Sequence, residues 1–200
     1  MKKLLFALVL LSSLTLARSD DVLKNSDFED GAVDWHGEGR TPADLKQEAA
    51  LDTPPDYGDK GLVMVLKPHT WIKIVQEFKT PSSSVTLNVT YKLAANTVFS
   101  DKKEDYQNVP HAIGFDGWLP FNGKQGGFMT MLSDFAKSRI FYDTVMPKAD
   151  STDPQTFRTT ISSLIPEDEK TLCLCFPPGT GAVILLHVSL DTKGTGSDGQ

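Results

Sequence analysis

Aromatic side chains set beside carboxylates and amides are the residues of this chain with the plainest chemical use. Phe115 and Trp118 flank Asp116 within Gly114-Phe-Asp-Gly-Trp-Leu-Pro-Phe-Asn-Gly123, where Phe121 and Asn122 follow. Flat aromatic faces stack on the C–H faces of sugar rings and lose little conformational entropy in doing so. A carboxylate and an amide alongside add directional hydrogen bonds. The same Trp118 could instead plug the edge of a sheet and anchor its loop. Trp71 carries a similar choice. It alternates with Lys73 and Glu77 on the face opposite Ile72, Ile74 and Phe78, so it is either a binding platform or a residue covered by a loop. Arg158 alternates with Thr156 and Thr160. Such a face could bond hydroxyl groups, although a solvated face is the default for an antiparallel sheet.

Catalytic signatures are sparse. There is no Gly-x-Ser-x-Gly and no His-Glu-x-x-His, and His36, His69, His111 and His187 are scattered without metal-ligand spacing. His36 and Glu38 form a lone pair in Trp35-His-Gly-Glu38. Carboxylates are plentiful, and a glycosidase needs two of them about 5–10 Å apart across a cleft. A jelly-roll glycoside hydrolase therefore stays an alternative. Cys173 and Cys175 sit at i and i+2 of a strand-like run. Their Cα atoms are expected about 6.5–7 Å apart with parallel Cβ vectors, a strained geometry for a disulfide. With no third Cys or nearby His to complete a metal site, they read as buried free thiols.

The chain begins as an exported one does. Lys2 and Lys3 precede an apolar run from Leu4 to Leu11, and small residues stand at Ala17 and Ser19. That layout is a secretory signal peptide over residues 1–19, with cleavage before Asp20. The run is too short to span a bilayer, which takes roughly 20 apolar residues, so no membrane span is expected after cleavage. The Lys-Lys-Leu-Leu start reads as bacterial, so the glycosylation triplet Asn88-Val-Thr90 carries no weight. The expected location is secreted or periplasmic. Net charge is −6, and without Lys2, Lys3 and Arg18 it falls to −9, with 17 basic residues against 26 acidic. An acidic surface with no basic patch argues against nucleic-acid partners.

The elements that must position these residues read as strands. Apolar runs or alternation cover 61–67, 70–79, 84–93, 128–132, 139–145, 156–161, 171–176 and 182–190. The segments 171–176 and 182–190 are apolar on both faces, which marks central strands. They are expected to form a final pair joined by Pro177-Pro-Gly-Thr-Gly181. Phe128 to Ile140 carries a partial helical spacing as an alternative. Residues 20–191 thus predict one all-β domain, a jelly-roll β-sandwich, followed by a flexible tail over 192–200. The stretch from Asn96 to Gly127 is long for a loop and is expected to be functional or partly disordered.

Both ends of this domain carry motifs. Leu23-Lys-Asn-Ser-Asp-Phe-Glu-Asp-Gly31 with Trp35 opens it, and Gly179-Thr-Gly-Ala-Val-Ile-Leu-Leu-His-Val-Ser-Leu190 closes it. In that order the chain resembles carbohydrate-binding modules of the galactose-binding-like jelly-roll superfamily, over about Val22 to Leu190. Those modules often open with Asn-Gly-Asp-Phe-Glu-x-Gly and close on Asp-Asp-Val-Ser-Leu, and Gln76 matches their Gln-x-Phe strand. The resemblance implies a non-catalytic carbohydrate-binding sandwich that needs no cofactor. Many such modules join their two ends through a structural Ca²⁺. Glu29 matches the first ligand and Asp59 could serve near the second, but Leu186 and His187 hold the closing Asp positions. Ca²⁺ wants six to eight oxygens, so one half of the site is lacking. Asp27 and Glu29 are otherwise turn residues that bond backbone N–H groups. The exported product is expected to be little more than this sandwich. The other reading open to it is a cell-envelope structural or protein-interaction module without a sugar site.

Overall fold

The computed structural model describes residues 22–36, 61–102, 104–105, 126–134, 139–148 and 151–192, with backbone alone at 134, 139 and 140. The expected leader, residues 193–200 of the tail, and Asp59, Phe115, Asp116, Trp118 and Asn122 lie outside the described residues.

Alternation builds most strands. In β3 (Ser84–Leu93), Val85, Leu87, Val89, Tyr91 and Leu93 are buried in the main core, while Asn88, Thr90 and Lys92 alternate with them and are half-exposed. This is the period-two pattern of a sheet with one face on a core. One four-stranded sheet sets β3 between β10 (Ala182–Thr192) and β7 (Gln155–Ser162), with β1 (Leu62–Val65) beyond β10. The second runs β2 (Ile72–Lys79), β8 (Glu169–Phe176), β5 (Phe128–Asp134), β6 (Arg139–Val145). All these pairings are antiparallel. Two short pieces, β4 (Val98–Phe99) and β9 (Gly179–Thr180), pair at the side.

Among the eight longer strands, only β5 and β6 are neighbours in both sequence and sheet. Every other step along the chain passes from one sheet to the other. That interleaving is the double Greek key of a jelly roll, so the expected fold class is the observed one. The pairing expected between 171–176 and 182–190 is corrected. β8 and β10 lie in different sheets, and residues 177–181 cross between them. Both strands are central, as their two-sided apolar character requires. Gly181 makes the crossing possible: its φ is +84°, and a Cβ there would stand 2.6 Å from the Thr97 Cα. The helical alternative for 128–140 is also corrected, since β5 and β6 are antiparallel strands.

The core between the sheets centres on Phe128, whose ring stacks on Phe176 at 5.0 Å and meets Tyr91 edge-on at 5.0 Å. Burial pushes the Tyr91 hydroxyl, which donates to Gln155 Oε1 at 3.5 Å, up to about 12.

The opening motif closes one end of this core. Leu23, Phe28, Ala32 and Trp35 are buried in it, and the Phe28 and Trp35 rings lie 5.4 Å apart. The Asn25 side chain shapes the loop, donating to the Gly31 and Val33 carbonyls and accepting from the Asp30 N–H. Gln76 on β2 then holds both ends of the loop. Its Oε1 accepts from the Lys24 N–H at 2.7 Å, and its Nε2 donates to the Lys24 and Asp34 carbonyls. Beyond the irregularity between Leu185 and His187, the Val188 N–H of β10 donates to the Ser26 carbonyl at 2.8 Å. The two motifs that carry the resemblance therefore touch, and the loop bonds to one strand of each sheet.

Candidate functional site

The outer face of the second sheet gathers the most chemistry. Inward residues of β8 and β5 (Leu172, Leu174, Phe176, Phe128, Leu132) belong to the main core. The pleat sends their alternates outward. Those alternates, Val75, Cys173, Cys175, Met129 and Met131, form a second buried cluster, with half-buried Trp71 and Tyr142 packed against it. Register sets the rows. Lys73, Cys175, Met129 and Thr144 follow one another across the four strands, and Val75, Cys173, Met131 and Tyr142 form the next row. A row across four strands spans about 14 Å.

Trp71, just before β2, is held in place by its indole N–H, which donates to the Asp105 carbonyl at 2.7 Å. Asp105 is itself pinned. Its Oδ1 meets His69 Nδ1 at 2.7 Å, and Ser100 Oγ donates to its Oδ2. These bonds, Ser100's first, hold the Asp105 carboxyl below its ordinary 3.8. Trp71 is thus both a surface aromatic and part of a packed corner, a half-way outcome between platform and covered residue. Burial lowers the Lys73 pKa from 10.5, opposed by its nearness to Cys175 and Cys173. A hydrogen bond with Cys173, then burial, push the Cys175 thiol up. Both cysteines are free and buried, with their sulfurs 3.4 Å apart.

Arg158 is exposed on β7, opposite Asn88, in line with its expected polar face. That face is the outer side of the first sheet. Trp71 lies on the outer side of the second, so the two cannot share one ligand. Asn88 there donates to Ser189 Oγ and Asp191 Oδ2. Glu29 is exposed, and its N–H donates to Asp27 Oδ1 at 3.3 Å, the turn role named above. Among the described residues no three His, Cys, Asp or Glu side chains cluster as metal ligands.

The described residues offer little for hydrolysis. Ser100, Asp105 and His69 are bonded together with the carboxylate in the middle, Oδ1 on the imidazole and Oδ2 on the hydroxyl. A nucleophile needs the base on the hydroxyl, whereas the bond from Ser100 Oγ goes to the carboxylate. A shallow pocket of about 200 Å³ is lined by Glu77, Phe78, Lys79, Glu169 and Lys170. Its two glutamates lie diagonally on adjacent strands of one face, Glu77 opposite Thr171 and Glu169 opposite Lys79. A glycosidase needs its pair flanking the bond from two sides.

Tyr142 was legible and missed. Phe141 and Val145 pack on the main core, so Tyr142, out of phase with both in the period-two alternation, must face outward. The same alternation in Phe128-Met-Thr-Met-Leu132 puts Met129 and Met131 beside the cysteines.

No protein-family model matches the chain, and no curated protein sequence does. Solved carbohydrate-binding modules are among the structures it is similar to. The module TmCBM61 in complex with β-1,4-galactotriose is 10% identical at TM-score 0.49, over 86% of this chain and 98% of that one. A family 16 carbohydrate-binding module is 10% identical at TM-score 0.47, over 86% and 100%. The Stig cyclase Fisc from Fischerella sp. TAU is 15% identical at TM-score 0.47, over 85% and 95%. At this level of similarity the jelly roll rests on the strand order itself.

Proposed function

We propose that this protein binds carbohydrate without acting on it, as a secreted or periplasmic β-sandwich. The observation that carries the reading is the outer face of the second sheet. Trp71, oriented by its indole hydrogen bond, stands toward the β2 side, and Tyr142 stands on β6 at the other edge. Between them lies a buried apolar floor, bordered by Thr144, Lys73 and Glu77. Fixed aromatics lose little entropy when a sugar ring stacks on them, and the bordering polar groups offer hydrogen bonds to hydroxyls. Phe115, Asp116, Trp118 and Asn122 belong to the same proposal as loop contacts. Arg158 does not, because it faces the other way.

Retention of the purified chain on a panel of immobilised polysaccharides tests this. Trp71→Ala and Tyr142→Ala should each weaken binding about tenfold, since an aromatic contact contributes roughly 1.4 kcal/mol. Arg158→Ala should bind as the wild type does. No reducing ends should appear when the protein is incubated with the polysaccharide it retains. The proposal fails if nothing is retained, or if Trp71→Ala and Trp118→Ala both match the wild type. One observation favours a protein-interaction module of the envelope instead: the Trp71 N–H is already used within the chain. That reading takes over if the sugar panel is blank.

A further inference from the structure

Four sulfur-bearing side chains pack in one buried cluster on the outer face of the second sheet. Cys173 and Cys175 alternate along β8, and Met129 and Met131 along the neighbouring β5. Met129 stands opposite Cys175, and Met131 opposite Cys173. Directly opposed residues keep their Cβ atoms about 4.5–5.5 Å apart. The two thiol sulfurs are 3.4 Å apart, and all four side chains are only 1–3% exposed. The face on which the four side chains stand is fixed, because the alternates of these residues fill the main core.

We propose that this Cys₂Met₂ set is a binding site for a soft monovalent cation, Cu(I). Thiolate and thioether ligands select Cu(I). Zn²⁺ takes Cys, His and carboxylates, and Ca²⁺ takes oxygens, so neither uses the two thioethers. A direct disulfide is the competing fate of the thiols. Residues at i and i+2 on one face of a strand lie about 6.5–7 Å apart at Cα, at the long end of what a disulfide spans. A bridging metal tolerates the longer sulfur separation. Binding exchanges the two S–H protons for the metal and releases them to solvent. Copper enters and stays as Cu(I), so no electron moves. The filled site carries one net negative charge, and Lys73, opposite Cys175, places a basic group on the same face.

The test is anaerobic titration of the full reduced chain with Cu(I), in competition with bathocuproine disulfonate. One equivalent should bind, with a thiolate-to-copper charge-transfer band in the ultraviolet. Excess Zn²⁺ should not displace it. Met129→Leu and Met131→Leu conserve volume and should melt as the wild type does without metal. Loss of an outer-shell partner already costs about 10–100-fold in metal affinity, so loss of either thioether ligand should cost at least about tenfold. Cys173→Ser should abolish the charge-transfer band. The proposal is overturned if the chelator strips all copper from the wild type, if both Met→Leu variants bind as tightly as wild type, or if Zn²⁺ competes at equal concentration. Polysaccharide retention plays no part in this readout, so the two proposals can fail separately.

Discussion

Thr130 shows how a single atom can work against a well-packed core. It lies on the inward side of β5 between Phe128 and Leu132, fully buried, and its hydroxyl has no hydrogen-bond partner among the described residues. A buried hydroxyl left unpaired costs about 1–3 kcal/mol. Valine has nearly the same shape and no oxygen. Thr130→Val should therefore raise stability by about 1 kcal/mol, seen as a higher denaturant midpoint at unchanged slope. A lower midpoint would mean that the hydroxyl does have a partner. The residue scale is also where the sequence reading was most uneven. Trp71 was recognisable because it is an aromatic among charges. Its tie to Asp105 was not, because a contact across 34 positions leaves no local pattern. Tyr142 needed only one more step of alternation, from the core residues Phe141 and Val145 on either side of it.

At the scale of elements, strands with one wet face announced themselves, and of those with two dry faces 171–176 and 182–190 were still read as strands while Phe128–Asp134 was left open to a helix. Ser84–Leu93 and Arg139–Val145 were read with the bounds they have. Phe128–Asp134 has the main core on one side and the sulfur cluster on the other. Its apolar residues therefore lose the period-two signature and admit a helical reading. Pairing was less legible still, since a short Pro-Gly-rich link reads as a hairpin whether the chain turns back or crosses to the other sheet. The opening loop has no regular structure, yet it is one of the better specified elements, because Gln76 supplies three of its bonds. Gln76→Ala leaves one N–H and two carbonyls of that loop to be resatisfied. Unfolding free energy should fall by about 3 kcal/mol. Amide exchange should accelerate over residues 22–36 while β3 and β8 keep their protection. Uniform acceleration across all strands would show that the loop does not open as a separate unit.

For the whole molecule, strand number and alternation were enough for a jelly roll, whereas the order of strands within each sheet was not, because it depends on which links cross the sandwich. The proposed site divides in the same way. Its sheet half, Trp71 with Tyr142, follows from alternation, and its loop half, Phe115, Asp116, Trp118 and Asn122, lies outside the described residues. How the two ends of the domain are joined is a question at this scale, and it separates two physical designs. In one, a Ca²⁺ bridges the opening and closing motifs. In the other, the chain does so itself. Here Ser26 accepts from Val188, Gln76 clamps Lys24 and Asp34, and Trp35 is fully buried in the core. The closing positions that would complete an oxygen cage are Leu186 and His187. An ion present at a hundredfold excess over its dissociation constant would contribute about 2.7 kcal/mol, or about 5–11 °C in a domain of this size. We expect EDTA to shift the melting temperature by less than ~2 °C, and added Ca²⁺ to leave it where it was. A larger drop that Ca²⁺ reverses would assign Glu29, with a partner such as Asp59, to a working metal site. It would also mean that the backbone contact between Ser26 and Val188 is held together by the ion rather than standing in for it.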